Sequence, residues 1–323
     1  MESILIDIIK NHVKNTGERV HIGIGDDAAS LAPPTQKRLL FSSDAMVEGV
    51  HFDLNFATPE DVGHKAVAAA LSDIAAMNGR PLYLVISLAL TSDHPQSFVD
   101  GFYRAASELA RTHDCEIVGG DLVRSQKGIF IDIACIGESN HPVARSGARP
   151  GDWLAVSGNP GASAAGFYAL KTRPREQVAP ELIRAHLRPQ PRFDLLAVLN
   201  AQPGLCTSLT DISDGLSSEI HHLADHSGVG FVIEQKRLPF HPEALDLAQR
   251  DNRDALAWCL SGGEDYELLA TLDSSLVPDP QSPPAGFTII GRAVPKEDGI
   301  AIADDQDQRH PLSNSGFDHF ASS

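Results

Sequence analysis

Apolar residues recur along this 323-residue chain with two periods, near 3.6 and near 2, and their alternation predicts a mixed helix-and-strand protein. Ile4, Leu5, Ile8, Ile9 and Val13 are spaced for one face of an amphipathic helix over 2–15. Leu39-Leu40-Phe41 predicts a short buried strand running into Ser42-Ser43-Asp44. Thr58-Pro59-Glu60-Asp61 has the form of a helix start: a capping hydroxyl, a proline in the first turn, then acids at the positive end of the helix dipole. The helical spacing continues to residue 77, and Gly79 ends it. A strand over 82–90, a helix over 96–113 and a strand over 129–136 follow.

The turn cluster Ala148-Arg149-Pro150-Gly151-Asp152 is the expected boundary between an N-terminal domain, 1–147, and a C-terminal domain, 148–323. Such a division agrees with the length, since one domain holds roughly 100–200 residues. Beyond it the pattern predicts a strand over 153–156 and a small-residue helix over 161–170. Helices over 192–200 and 216–226 flank Asp211-Ile212-Ser213-Asp214-Gly215, strands lie near 229–234, 266–272, 287–291 and 300–303, and 278–284 is a loop. Strands and helices mix in both halves, so the class is α/β or α+β, with the topology left open.

Charge removes several functions. The formal net charge of −17, from 26 basic and 43 acidic residues, argues against a nucleic-acid or anionic-membrane surface, which needs clustered Lys and Arg. Cys115, Cys135, Cys206 and Cys259 are far apart, with no Cys-x-x-Cys pair, so reduced thiols are expected rather than a zinc site or a disulfide framework. The apolar run over 82–90 is too short to span a bilayer. The chain opens Met1-Glu2-Ser3, without a basic stretch leading into an apolar one, so a cytoplasmic protein is expected.

Placement of the acids carries the chemistry. Gly25-Asp26-Asp27, Ser42-Ser43-Asp44, Leu71-Ser72-Asp73, Gly119-Gly120-Asp121, Asp211-Ile212-Ser213-Asp214-Gly215 and Gly262-Gly263-Glu264-Asp265 each set a carboxylate beside Gly or Ser. Carboxylate and hydroxyl oxygens are hard ligands suited to Mg²⁺, and carboxylates gathered at one site repel one another unless cations sit between them. A polyphosphate needs the same cations, which points to a Mg²⁺-dependent nucleotide enzyme. Gly23-Ile24-Gly25-Asp26-Asp27-Ala28 matches a dinucleotide fingerprint in letters only: two Asp side chains would oppose a phosphate, and Pro33-Pro34 follows too soon for a helix. No G-x-x-x-x-G-K-[ST] occurs, so phosphates must be held without a P-loop lysine.

Other readings stay open for single motifs. Asp73 lies on a helix face with Ala66, Ala69, Ala70, Ala76 and Met77, and serves there as a metal ligand, a cap or an ion-pair partner. Asp211 and Ser213 alternate onto one face if extended, while Asp214 is either a ligand or the cap of helix 216–226. Gly119-Gly120-Asp121 ends the apolar stretch 116–118, and a lone His such as His51 is more often structural.

Together these segments resemble the thiamine-monophosphate kinase family. The resemblance is carried, in order, by Gly25-Asp26-Asp27-Ala28, Ser42-Ser43-Asp44 with Gly49-Val50-His51-Phe52, Leu71-Ser72-Asp73-Ile74-Ala75-Ala76-Met77, Gly119-Gly120-Asp121, Arg145-Ser146-Gly147-Ala148-Arg149-Pro150-Gly151-Asp152, Asp211-Ile212-Ser213-Asp214-Gly215-Leu216 and Ser261-Gly262-Gly263-Glu264-Asp265-Tyr266-Glu267-Leu268. It implies the two-domain fold shared with aminoimidazole ribonucleotide synthetases, with an N-terminal sheet that pairs across a homodimer and a C-terminal domain that completes the active site. It implies phosphorylation of thiamine monophosphate by ATP, with several Mg²⁺ ions. By the same resemblance Asp26, Ser42, Ser43, Asp44, Asp73, Asp121, Asp211 and Asp214 correspond to the Mg²⁺ set, and Asp44, Asp73, Asp214 and Arg145 to the catalytic group. Tyr103, Gly120, Asp121, Arg145 and Ser213 correspond to ATP contacts, and His51, Glu264 and Phe317 to the thiamine-phosphate pocket. The rival readings are another Mg-ATP enzyme of the superfamily and a non-catalytic nucleotide-binding maturation factor.

Overall fold

The computed structural model describes residues 8–9, 11–13, 20–22, 30–31, 37–92 and 95–317. Of the helix expected over 2–15, residues 8–9 and 11–12 are helical and the rest lies outside the described residues, as does the motif at 25–28. The chain forms two compact units, Met1–Ile74 with Gly79–Pro142 and Ala75–Asn78 with Val143–Ser323. The division falls between Pro142 and Val143, ahead of the turn cluster at 148–152, because residues 143–147 already bind unit 2: Val143 packs among Leu205, Leu209 and Leu268, and Leu209 N–H donates to Ala144 O at 3.0 Å.

Unit 1 is built on a four-stranded sheet ordered β3-β6-β4-β5, from β3 (Arg38–Val47), β4 (Arg80–Leu90), β5 (Glu116–Arg124) and β6 (Phe130–Ser139). β3/β6 and β6/β4 pair antiparallel, and β4/β5 pair parallel. That parallel pair needs a crossover, which α2 (Pro95–Thr112) supplies. A separate two-stranded ribbon joins β1 (Val20–Ile22) and β2 (Ser30–Leu31). Helix α1 (Pro59–Ala76) begins with a reciprocal cap: Asp61 N–H donates to Thr58 Oγ1 at 3.2 Å, and Thr58 N–H donates to Asp61 Oδ2 at 3.1 Å. α1 and α2 close onto each other at Gly63, where a Cβ would stand 2.2 Å from Phe102 O.

Two expectations are corrected here. The strand expected at Leu39-Leu40-Phe41, running into Ser42-Ser43-Asp44, is neither short nor buried throughout. β3 runs ten residues, contains Ser42, Ser43 and Asp44, and buries only Leu40 and Met46, leaving Leu39 57% and Phe41 69% exposed. One face of β3 buries Leu40 and Met46, and among the described residues the other face, with Leu39, Phe41 and Val47, is exposed. Gly119-Gly120-Asp121 likewise does not end a strand: β5 continues to Arg124, and Gly120 is held to β4 so closely that a Cβ would sit 2.0 Å from Ile86 O.

Unit 2 carries a seven-stranded sheet ordered β13-β12-β9-β11-β7-β10-β8. Its strands are β7 (Trp153–Ser157), β8 (Cys206–Asp211), β9 (Gly230–Glu234), β10 (Leu268–Leu272), β11 (Phe287–Val294), β12 (Ile300–Ala303) and β13 (Arg309–Pro311). All neighbours are antiparallel except β9 and β12. Both faces are covered. Leu154, Val156, Phe231, Ile233, Leu269 and Ile290 pack with Ile220 and Leu223 of α5 (Leu216–Ser227), while Ala155, Leu268, Ala270 and Leu272 pack with Leu195, Leu199 and Leu205. Helices α3 (Ala162–Thr172), α4 (Pro180–Leu187), α6 (Pro242–Asp251) and α7 (Ala255–Ser261) complete the unit. α4, α6 and α7 go beyond the elements the periodicity predicted, whereas the helix expected over 192–200 shrinks to a 3₁₀ turn at Phe193–Leu195 and one α-turn at Leu196–Leu199.

Removing the α1 cap hydroxyl leaves an orphaned N–H, so Thr58→Ala is expected to cost about 1 kcal/mol of stability. Urea denaturation checks this, as a lower midpoint with an unchanged slope.

Candidate active site

In unit 2 the acidic segments converge at the end of β8. The last β8–β10 pair is Asp211 with Leu268, and backbone pairing continues past it. Ile212 N–H donates to Glu267 O at 2.8 Å, Tyr266 N–H to Ile212 O at 2.9 Å, and Glu264 N–H to Ser213 O at 2.7 Å. Gly263 permits this approach, since a Cβ there would meet Ser213 O at 2.4 Å. The C-terminal segment joins them: Phe317 N–H donates to Asp214 O at 2.9 Å, and Ser315 Oγ lies 2.7 Å from Ser261 Oγ and 3.1 Å from Ser217 Oγ. Asp211, Ser213, Asp214, Glu264 and Phe317, which are far apart in sequence, thus share one locality. Asp211 is buried, and the Phe317 ring is half exposed. The cap reading of Asp214 is answered: Gly215, at φ 112°, occupies the cap position of α5, with no side-chain cap bond.

Arg145 belongs to the same locality. Its Nε donates to Thr210 Oγ1 at 3.1 Å, one residue before Asp211, and Thr210 Oγ1 lies 3.4 Å from Glu219 Oε2. Glu219 is fully buried on α5, 3.0 Å from His222 Nδ1. Burial pushes its carboxyl upward from the ordinary range, and the Asp211 charge adds to that, against His222 and Arg145. Behind Arg145, Ser227 Oγ donates to Arg145 O and accepts from Gly147 and Ala148 N–H, each at 3.2 Å.

Glu264 is held by its neighbours in sequence and space. It and Tyr266 adopt left-handed φ values of 63° and 52°. Asp265 points the other way and receives Gly161 N–H at 2.7 Å and Ser163 N–H at 3.1 Å at the start of α3. Burial pushes the Asp265 carboxyl up to about 8; the Glu267 and Glu264 charges add to the shift and the two N–H groups oppose it. Glu267 pairs with Arg192 Nη1 at 2.6 Å and with the Ser157 hydroxyl.

Unit 1 distributes its candidates over both faces of the sheet. Ser42 and Asp44 share the β3 face of buried Leu40 and Met46. Ser42 Oγ is buried without a hydrogen-bond partner among the described residues. Asp73 is half buried on α1. Ser43 lies on the opposite face and donates to Asp132 Oδ1 at 2.8 Å. Register sets Asp132, Ser87 and Asp121 in one row across β6, β4 and β5. Asp121 is exposed, beside Gly120. His51 Nδ1 accepts Val47 N–H at 2.9 Å, which leaves the ring proton on Nε2, and buried Lys65 donates to His51 O at 2.8 Å. Tyr103 is buried in the core, edge-on to Phe102 at 5.3 Å, with no exposed face. Asp26 lies outside the described residues. Among the described residues no group of three His, Cys, Asp or Glu stands ready to hold a metal ion.

Comparison with known proteins assigns the family. The AIR synthase related N-terminal domain matches residues 25–139, and the AIR synthase related C-terminal domain matches 149–300. The thiamine-monophosphate kinase of Escherichia coli K12 is 36% identical over 328 residues, covering 96% of this chain and 95% of that protein. The chain belongs to the thiamine-monophosphate kinase family. The Aquifex aeolicus member is also 36% identical, over 98% of this chain and 97% of its own. The solved structure of AaThiL complexed with AMPPCP and TMP superposes with a TM-score of 0.79 at 34% identity, covering 99% of this chain and 97% of that one. This member of the family is accordingly a kinase with two AIR-synthase-type domains. Among the described residues no helix is long and apolar enough to cross a membrane.

Several supporting residues carried no motif. Thr210 and Glu219, which hold Arg145, read in the sequence as an interior strand residue and a helix residue. Asp132 is legible only through the β3–β6 register. The Ser163–Asp265 contact joins residues 102 apart.

The Asp265 pair of states gives a pH test. Between the unfolded value of 3.8 and the folded value of about 8, the folded state holds the extra proton, so stability falls as pH rises through that window. Asp265→Asn keeps an accepting oxygen and cannot ionise. Relative to wild type, its Tm is expected to rise from pH 5 to pH 8, measured by thermal denaturation at both values.

Proposed function

We propose that this protein transfers the γ-phosphoryl group of ATP directly to the phosphate of thiamine monophosphate, giving thiamine diphosphate and ADP. The observation that carries the reading is the convergence of Asp211, Ser213, Asp214, Glu264, Phe317 and Arg145 at the end of β8, in a chain similar over nearly its whole length to a protein solved with AMPPCP and TMP.

An oxygen of the acceptor phosphate attacks the γ-phosphorus as the bond to the β–γ bridging oxygen breaks, and ADP departs. The acceptor oxygen is already largely ionised at neutral pH, so the difficulty is bringing two anions together rather than removing a proton. Arg145, fixed by Thr210, would supply a cation against developing negative charge. Glu264 and Phe317 suit the two halves of the acceptor: a carboxylate for an aminopyrimidine, and a half-exposed aromatic face for a flat or cationic ring. His51 Nε2–H is a donor suited to a phosphate oxygen. Gly120, Asp121 and Ser213 are assigned to ATP, and Tyr103, lacking an exposed face, is left out of the contacts.

Mg²⁺ fits the donor set. Ser42 Oγ, buried and without a partner among the described residues, is an oxygen of the right hardness beside Asp44. Ser42 and Asp44, with Asp26, Asp73, Asp211 and Asp214, would hold the ions, which supply neutralisation of the phosphates when bound, whereas Ser43 and Asp121 lie on the opposite face of the sheet and Ser43 is bonded to Asp132.

The outer face of the four-stranded sheet supports a homodimer. Leu39, Phe41 and Val47 of β3, Phe130 of β6 and Val123 of β5 are exposed there. A second copy pairing sheet to sheet would cover them.

Purified protein incubated with Mg-ATP and thiamine monophosphate is expected to yield thiamine diphosphate, and Asp44→Asn to retain the fold and lose nearly all turnover. Absence of product from the wild type, or near-normal activity in the variant, would count against the assignment. Phe41→Asp sets a charge in the proposed dimer face and should shift the protein to monomers in sedimentation, at unchanged circular dichroism.

A further inference from the structure

Buried polar groups behind a binding carboxylate need a reason, because each costs free energy unless it is hydrogen-bonded. Behind Glu264 stands such a pair. His186 on α4 is 2% exposed and Ser163 on α3 is fully buried. His186 Nδ1 lies 3.1 Å from Ser163 Oγ and 3.8 Å from Glu264 Oε2. The Phe167 ring flanks the imidazole at a centroid distance of 5.1 Å. Ser163 also donates its backbone N–H to Asp265. One serine therefore anchors two consecutive acids: Asp265 through its main chain and Glu264 through the imidazole.

The backbone makes this anchorage necessary. Glu264 sits at φ 63°, a conformation costly for a residue with a Cβ, and its N–H is committed to Ser213 O at 2.7 Å. The main chain thus fixes where the side chain begins, and a flexible three-torsion carboxylate then needs a second restraint to point one way. We infer that His186, seated on Ser163, is a positioning residue that orients the Glu264 carboxylate for the aminopyrimidine end of the acceptor, and so sets acceptor recognition without touching the acceptor. The inference rests on the reading of Glu264 as an acceptor contact. Nδ1 is the atom that faces both Ser163 and Glu264, so an amide nitrogen in its place can serve, whereas a hydrocarbon cannot.

The test is steady-state kinetics with each substrate varied in turn, on folded variants verified by Tm. His186→Leu should raise the KM for thiamine monophosphate about tenfold, the effect of losing one close polar contact to a carboxylate, and leave the KM for ATP and kcat near wild type. His186→Asn should restore most of the lost affinity, and Ser163→Ala should shift the same KM in the same direction as His186→Leu. Glu264→Gln, as control, should itself raise that KM, and adding His186→Leu to it should add little. An unchanged KM in Glu264→Gln would overturn the acceptor-pocket reading itself. A raised KM in Glu264→Gln with none in His186→Leu, or full additivity of the two, would overturn the positioning role alone. If His186→Leu does not fold, His186→Asn and Ser163→Ala still decide, since equal losses for both substrates mark a packing role.

Discussion

Backbone pairing beyond the end of β8 is the constraint on which the unit 2 site depends. Ile212 and Ser213 exchange hydrogen bonds with Glu264, Tyr266 and Glu267 after the strands themselves have ended. Main-chain bonds are obligatory in a buried setting, so they fix position more firmly than side-chain contacts do. They place carboxylates from two segments side by side despite mutual repulsion. Glycines at 215 and 263 make the approach possible, and non-glycine left-handed residues at 264 and 266 bear its strain.

Around that pairing the protein arranges support in layers. Thr210 holds Arg145, and buried Glu219 backs Thr210. Asp265 ties the loop to the start of α3, and Glu267 ties it to Arg192. Glu219, Asp265 and Glu267 each have a donor within reach, which is how a strongly acidic chain keeps a packed unit. Unit 1 uses a different device. Its sheet buries one face under α1 and α2 and leaves the other apolar and exposed, while the candidate acids are divided between the two faces.

The division of labour suits the proposed reaction between two anions. Little covalent chemistry is asked of the protein, so positions matter more than activated side chains. No serine or histidine of the proposed machinery needs a proton abstracted, and the buried network around Glu264 and Arg145 serves to hold charges still.

Local pattern settled a good part of this. The helix from Thr58, its cap, the strands expected over 153–156 and 300–303 and the loop over 278–284 follow from short-range spacing and turn chemistry, which act within a few residues. The acidic motifs and the resemblance they carry were also legible, because each is contiguous. What tertiary structure decided is whatever depends on partners far along the chain. The exposed face of β3 could not be read from Leu39-Leu40-Phe41, since apolar letters do not say which side of a sheet meets a helix and which is left open. The continuation of β5 through Gly119-Gly120-Asp121 depends on β4 lying alongside. Above all, that residues 211–214, 264 and 317 meet, and that Ser163 and His186 stand behind Glu264, follows from strand order and loop register, which hydrogen bonds across more than fifty residues set and no local spacing encodes.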